Sequence, residues 1–339
     1  MKAVAVVEIG RVEVVDIPKP NIRDYECLVK MTASGLCNST DLKIIHDEIS
    51  TMKVPFPVIL GHEGVGEVVE IGPKVRNIKV GDRLLNPAGR LEPGTPYQSM
   101  WANMKEYSIV QDHKVMEELG IDRKEFIGGA ARMIPKEISD ADAGVLLTLK
   151  ENYSAIGNFG FQPGMDVLIY GDGPVGLGLV KFLKMRGVNW VGCVGHHDKR
   201  LDYIREKGGA DLLVNSKSAN VPEAVGERRF DLVIDAVGAT KIILEGNKLL
   251  KPGGRLCVYG VLKPKDSHID LLTLRNHTSL HMLNFPYREQ DCHDEIVQLI
   301  LDKKINPKDF YSHVIPVEDA AKGVEMIVNR EALKVVFSF

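Results

Sequence analysis

Residues 167–177 read Val167-Leu168-Ile169-Tyr170-Gly171-Asp172-Gly173-Pro174-Val175-Gly176-Leu177, an apolar run that meets G-x-G-x-x-G and then opens a helix. Each glycine has a physical task in a nucleotide cradle. Gly171 permits a tight strand-to-helix turn, Gly173 lets backbone amides approach a pyrophosphate, and Gly176 lets the helix pack closely on the sheet. Pro174 and Val175 complete the turn, and the helix N-terminus adds positive potential for phosphates. Taken alone the motif is equally a glycine-rich turn; the strand before it and the helix after it make the dinucleotide reading.

Outward from this stretch, strands and helices alternate: strand Val167 to Tyr170, helix Pro174 to Arg186, strand Trp190 to Val194, helix Lys199 to Lys207, strands Leu212 to Asn215 and Leu232 to Asp235, helix Lys241 to Leu250, strand Arg255 to Tyr259. That alternation predicts a doubly wound parallel sheet. Before it, a helix is expected over Ala141 to Ile156 with Ser139 as N-cap. Upstream of about residue 135 the texture changes to short strands (Lys2 to Val7, Arg11 to Asp16, Glu26 to Ala33, Gly66 to Ile71, Tyr107 to Val110) between Pro and Gly turns, which predicts a largely antiparallel β unit. The last fifty or so residues return to mixed character, with helix Asp294 to Asp302 and a closing strand Leu333 to Phe337. The expected fold class is α/β: a mostly β domain over 1–138, completed by 281–339, and a dinucleotide domain over 139–280. No internal repeat or low-complexity segment interrupts this order.

Bulk properties narrow the partners. The 339 residues suffice for two cores, since a single core stops growing near roughly 250 to 300 residues. A net charge of -3 with 26% charged residues shows no basic stripe for nucleic acid. The five cysteines (Cys27, Cys37, Cys193, Cys257, Cys292) are scattered without C-x-x-C spacing, so a reducing cytoplasm is expected rather than a disulfide framework. No apolar stretch approaches about 18 residues, so no membrane association is expected either. A small molecule is the expected partner.

Two sites are written into the chain. At the end of the second expected strand, Gly195 stands where an NAD site places an acid for the ribose 2′-hydroxyl, about 20 residues beyond the glycines. With no acid there to repel a 2′-phosphate, His196, Lys199 and Arg200 are candidates to surround one, so NADP is favoured over NAD, although Asp198 is within reach of a ribose. The plainer reading is that Lys199 and Arg200 solvate the start of the next helix. The second site is Gly61-His62-Glu63-Gly64-Val65-Gly66, which sets an imidazole beside an acid in a glycine-dense segment. An imidazole so presented can bind a metal or a substrate oxygen. Together a nucleotide site and a His-Glu site point to redox chemistry.

The order of parts, Gly35-Leu36-Cys37, Gly61-His62-Glu63, Gly81-Asp82-Arg83, the Gly171 to Gly176 motif, Leu250-Lys251-Pro252-Gly253-Gly254 and a closing Lys334-Val335-Val336, resembles the zinc-type medium-chain alcohol and polyol dehydrogenases over essentially the whole chain. The resemblance implies a GroES-like catalytic domain interrupted by a Rossmann domain, a catalytic zinc, and assembly as homodimers or homotetramers. It implies further that Cys37 and His62 are zinc ligands and Glu63 an adjacent acid able to exchange onto the metal. Three departures stand out. Cys37-Asn38-Ser39-Thr40-Asp41 holds one residue more than the family's spacing, so either Ser39 or Thr40 is the candidate proton-relaying hydroxyl. Leu147 stands where the third zinc ligand belongs, with Glu151 the nearest acid. Lys43 replaces a relay His. The cysteine-rich structural zinc lobe is absent from Asn86 to Met100.

The expected reaction is reversible hydride transfer between a nicotinamide and a secondary alcohol or ketone, polyol or sugar-derived, held within roughly 3 to 3.5 Å of one another, with zinc polarising the oxygen. Lys43, His46, Lys150, Glu151 and Asn152 are polar candidates for the substrate. The rivals are a metal-free NADP(H)-dependent reductase, with Lys150 or another side chain giving the proton, and a nucleotide-binding protein without turnover.

Overall fold

The computed structural model describes residues 1–49, 53–87, 89–266, 268–283 and 287–339. The chain divides into two compact units, Met1–Asp47 with Lys53–Leu147 and Asp294–Phe339, and Glu48–Met52 with Thr148–His293.

The first unit opens with β1 (Lys2–Glu8), β2 (Arg11–Asp16) and β3 (Glu26–Gly35), then α1 (Thr40–Ile45), β4 (Val58–Ile59), β5 (Glu63–Ile71), β6 (Arg83–Leu85), β7 (Gln98–Ser99), β8 (Tyr107–Gln111), α2 (His113–Glu118), β9 (Arg132–Met133) and α3 (Asp140–Ala143). Among the described residues these build two sheets. One runs β2-β1-β4-β7; the other centres on β3, which pairs antiparallel with both β5 and β8. Its inward face carries Cys27, Val29, Met31, Val68, Leu84 and Val110 in one apolar cluster, the alternation expected of half-buried strands.

The second unit is the doubly wound sheet: α4 (Leu146–Asn158), β10 (Asp166–Tyr170), α5 (Pro174–Met185), β11 (Trp190–Gly195), α6 (Asp198–Gly208), β12 (Leu212–Asn215), α7 (Val221–Val225), β13 (Phe230–Asp235), α8 (Thr240–Lys248), β14 (Leu250–Val258) and β15 (Ser279–Met282). The order β12-β11-β10-β13-β14-β15 is parallel throughout. Every residue of β10 is buried, as a central parallel strand covered on both faces must be. The chain then returns to the first unit through α9 (His293–Leu301), β16 (His313–Pro316), α10 (Ala320–Val328) and β17 (Val335–Ser338), and β17 pairs with β3, Val336 opposite Gly35.

The division between the units falls at other residues than 138/139 and 280/281. Ser139 caps α3, accepting from the Asp142 N–H at 3.2 Å, and α3 packs on β3, β5 and β17. At the other end His281 and Met282 pair with Cys257 and Val258 in the parallel ladder, which places them in the second unit. The single helix expected over Ala141 to Ile156 is two, separated at Gly144 and Val145. At the break a Cβ on Gly35 would collide with the Gly144 carbonyl oxygen, and a Cβ on Gly144 would stand 3.0 Å from Val336 Cγ1. The short elements α7, β15, β16 and α10 have no counterpart in the sequence reading.

Candidate active site

β3 ends at Gly35 and β5 begins at Glu63, and these two residues are register partners. Cys37 lies two residues past Gly35 and His62 one before Glu63, so strand pairing alone brings the three side chains together. Their ligand atoms, one from each of Cys37, His62 and Glu63, all lie within 4.8 Å of one another. Gly61 makes the approach possible: its φ is +99°, and a Cβ there would stand 2.6 Å from the backbone nitrogen of Met104.

Asp41, which is fully buried, orients this group. Its Oδ2 accepts the Cys37 N–H at 2.9 Å and its Oδ1 faces His62 Nδ1 at 3.4 Å, while His62 Nε2 lies 3.9 Å from Glu63 Oε1. Among the described residues both His62 Nδ1 and Asp41 Oδ1 are buried without a hydrogen bond of good geometry, so we read their contact as electrostatic. Burial opposes charge on His62, but the Asp41 carboxylate and Cys37 outweigh it and hold the imidazole well above its ordinary pKa. With Nδ1 turned to a carboxylate, Nε2 is the nitrogen left for a cation. The Thr40 N–H donates to Cys37 Sγ at 3.4 Å. Thiolate, imidazole and carboxylate together form a donor set that suits zinc.

Glu63 has a second partner that the sequence reading did not supply. Lys334, at the foot of β17 and 2% exposed, sits 2.8 Å from each of the Glu63 oxygens and donates to the Leu36 carbonyl at 3.2 Å. Burial disfavours the ammonium, yet Glu63 and Cys37 hold its pKa above the ordinary value. Gly35 leaves the room, since a Cβ on it would lie 2.5 Å from Glu63 Oε2. Of the two candidate hydroxyls, Ser39 is the one bonded to Lys43, Oγ accepting from Nζ at 3.2 Å. The Trp101 ring stands 5.4 Å from that of His62, a neighbour with no signal in the sequence beyond being one of two tryptophans. Leu147 is buried. Glu151 belongs to the second unit, where its Oε2 accepts from the Tyr259 hydroxyl at 3.2 Å, and Lys150 there donates to Gln290 Oε1 at 2.9 Å.

In the second unit the glycine motif forms the β10-to-α5 turn. A Cβ on Gly176 would collide with the Gly171 carbonyl, so Gly176 is required by the turn itself. Gly173 is different: it is the N-cap of α5, and a Cβ there meets nothing within 4 Å. Open space over a helix N-terminus that begins with Pro174 and Val175 fits a pyrophosphate. Gly195 holds a surprise. The place of its missing side chain is already filled by Asp172, whose Cβ and Oδ2 lie 2.5 and 2.6 Å from where a Cβ on Gly195 would be. That carboxylate accepts from the backbone N–H of His196 (2.7 Å) and of His197 (2.9 Å) and meets His197 Nδ1 at 2.8 Å. The reading that no anion stands near position 195 is therefore corrected: Asp172 puts one there, turned inward. Asp198 is held by the Asn215 amide at 2.7 Å, Arg200 lies near enough to Asp172 to act on its charge, and Lys199 is exposed on the first turn of α6.

Both halves have family counterparts. Residues 23–133 match the alcohol dehydrogenase GroES-like domain, and residues 174–302 match the zinc-binding dehydrogenase domain. The chain belongs to the zinc-type medium-chain alcohol and polyol dehydrogenase superfamily. As a member it is an oxidoreductase that interconverts alcohols and carbonyl compounds with a nicotinamide cofactor. Among its relatives, D-arabinitol dehydrogenase 1 of Uromyces fabae is 26% identical over 330 residues, covering 93% of this chain and 90% of that one. D-xylulose reductase of Saccharomyces cerevisiae is 25% identical over 336 residues, covering 93% and 91%. An alcohol dehydrogenase of Thermus sp. ATN1 has the same fold, with a TM-score of 0.78 at 23% identity over 100% of this chain and 99% of that one.

Proposed function

We propose that this dehydrogenase oxidises a secondary alcohol of a polyol or sugar-derived substrate reversibly to the ketone, with NADP as the favoured hydride acceptor and a zinc ion held by Cys37, His62 and Glu63. The convergence of those three donors around the register pair Gly35 and Glu63 carries the reading. The polyol class rests on relatives such as the arabinitol and xylulose enzymes.

Zinc bound there would supply a Lewis acid for the substrate oxygen. The chain's own residues do the rest. Asp41 accepts the Cys37 backbone N–H and faces the His62 ring at 3.4 Å, which ties both ligand-bearing segments to one buried carboxylate. Ser39 stands hydrogen-bonded to Lys43, an arrangement suited to taking the alcohol proton and passing it outward. Lys334 holds Glu63 near the cluster and competes for its oxygens, which makes Glu63 an exchangeable ligand. Gly173 and the N-terminus of α5 receive the pyrophosphate, and the basic residues beyond β11 receive the adenosine end.

The Lys334 bridge to both Glu63 oxygens also favours one alternative, a metal-free reductase of the same architecture, in which a side chain gives the proton. Metal analysis of protein purified without chelators separates the two. Close to one zinc per chain, lost in His62→Ala, supports the zinc reading; a zinc-free wild type that is fully active in strong chelator overturns it. If Glu63→Gln loses the metal while Glu151→Gln keeps it, Glu63 is the third ligand, and the reverse result moves that role to Glu151.

A further inference from the structure

The three strands that end side by side at the ligand edge of the second unit, β12, β11 and β10, bring together basic residues far apart in sequence. His196 follows Gly195 at the end of β11. Gly195 is the register partner of Asn215, and the Ser216 N–H and hydroxyl both donate to the Gly195 carbonyl, at 2.9 and 3.2 Å. Lys217 therefore stands one residue beyond a turn bonded to the His196 strand end. On the other flank β13 pairs with β10 and leads into α8, whose second residue is Lys241. Both lysines and His196 are exposed.

Their mutual influence is visible on the imidazole. Burial first, and then the ammoniums of Lys241 and Lys217, outweigh the pull of Asp172 and hold His196 below its ordinary pKa. The Asp172 carboxylate is held below its ordinary pKa: burial opposes its charge, but the N–H groups of His196 and His197 outweigh it and tie the carboxylate to the turn.

We infer that Lys217 and Lys241 are the specificity-determining residues for a ribose 2′-phosphate, gripping it from two sides over His196, with Asp172 as the residue that positions the His196–His197 turn between them. The inference rests on the NADP reading and names residues outside the 196–200 run. Neither lysine lies on the element that follows the usual acid position, so only the sheet order exposes them. An ammonium is a compact point charge suited to a phosphate monoester approached from the side.

Titration calorimetry of the full chain with NADP+ and with NAD+ tests it. The wild type is expected to bind NADP+ more tightly. Lys217→Ala and Lys241→Ala should each lower the ratio of the two affinities about tenfold, with NAD+ affinity changed by less than about twofold. Asp172→Ala should lower the same ratio, and Asp172→Asn, which keeps an acceptor oxygen for the turn, should restore part of it; a purely structural role would move both affinities together. If the wild type discriminates and both lysine variants keep its ratio, the inference fails while the NADP reading stands. A wild type that binds NAD+ as tightly as NADP+ overturns both.

Discussion

At the residue scale, two buried lysines make the most exposed commitments. Lys334 and Glu63 form an ion pair in which each side chain is 3% exposed. Removing one partner strands the other charge, so Lys334→Met should destabilise the protein by about 3 to 5 kcal/mol, and adding Glu63→Gln should recover part of that loss. Equilibrium denaturation of the single and double variants measures it; a neutral single variant contradicts the pairing. Lys105 is fully buried, its Nζ donating to the Arg90 carbonyl at 2.7 Å, and burial followed by the Arg90 charge lowers its pKa to about 7. A lysine whose folded pKa lies below its unfolded value binds fewer protons when folded. Between about 7 and 10.5 the unfolded state then holds the extra proton, and stability rises with pH. Thermal midpoints should climb from pH 7 to pH 9.5 in the wild type, and Lys105→Met should flatten that climb. In sequence His62 and Glu63 stood out by their glycine-dense segment and Cys37 only through the family resemblance, and the structure brings their ligand atoms within 4.8 Å of one another. Lys334 as the partner of Glu63 was not, because a contact across 271 positions exists only after β17 has paired with β3.

At the element scale, the β10-to-α5 turn separates two kinds of glycine that the motif writes alike. Gly176 serves the turn, whereas Gly173 looks onto open space at a helix N-terminus. Gly173→Val should therefore leave stability within about 1 kcal/mol of wild type, as surface changes usually do, while weakening dinucleotide binding more than about tenfold by intruding where the pyrophosphate sits. Unchanged affinity in calorimetry would displace the cofactor from this turn. Gly195 looks in sequence like a simple vacancy for an acid. An Asp there would drive its Cβ into Asp172, so Gly195→Asp should disturb the β11 end before it alters cofactor choice; the sequence could not tell this, because it does not say which side chain leans over which strand. The elements themselves were readable where periodicity was long. Strand Leu212–Asn215 falls as expected and β10, α5, β11 and α6 before it begin and end within a residue of their expected bounds, whereas β14 begins at Leu250, five residues before the expected strand. Short pieces such as α7 and β16 carry too few residues for a period to show.

At the scale of the whole molecule, the switch from short strands to strand-helix alternation announced the architecture, and the match of the two family domains to residues 23–133 and 174–302 confirms it. Where the units divide was less legible, because α3 reads as the start of a long helix until its packing on β3, β5 and β17 is seen. None of the described helices is long and apolar enough to cross a membrane. The central claim, zinc-assisted and nicotinamide-dependent oxidation of a polyol, meets its most direct test in one assay: nicotinamide absorbance followed with NADP+ across a panel of sugar alcohols, before chelation, after it, and after zinc is added back. The account predicts reduction of the cofactor by at least one polyol, loss of that activity on chelation and its return with zinc. Zinc-loaded protein that reduces no cofactor with any polyol of the panel, or activity indifferent to chelation, would contradict it.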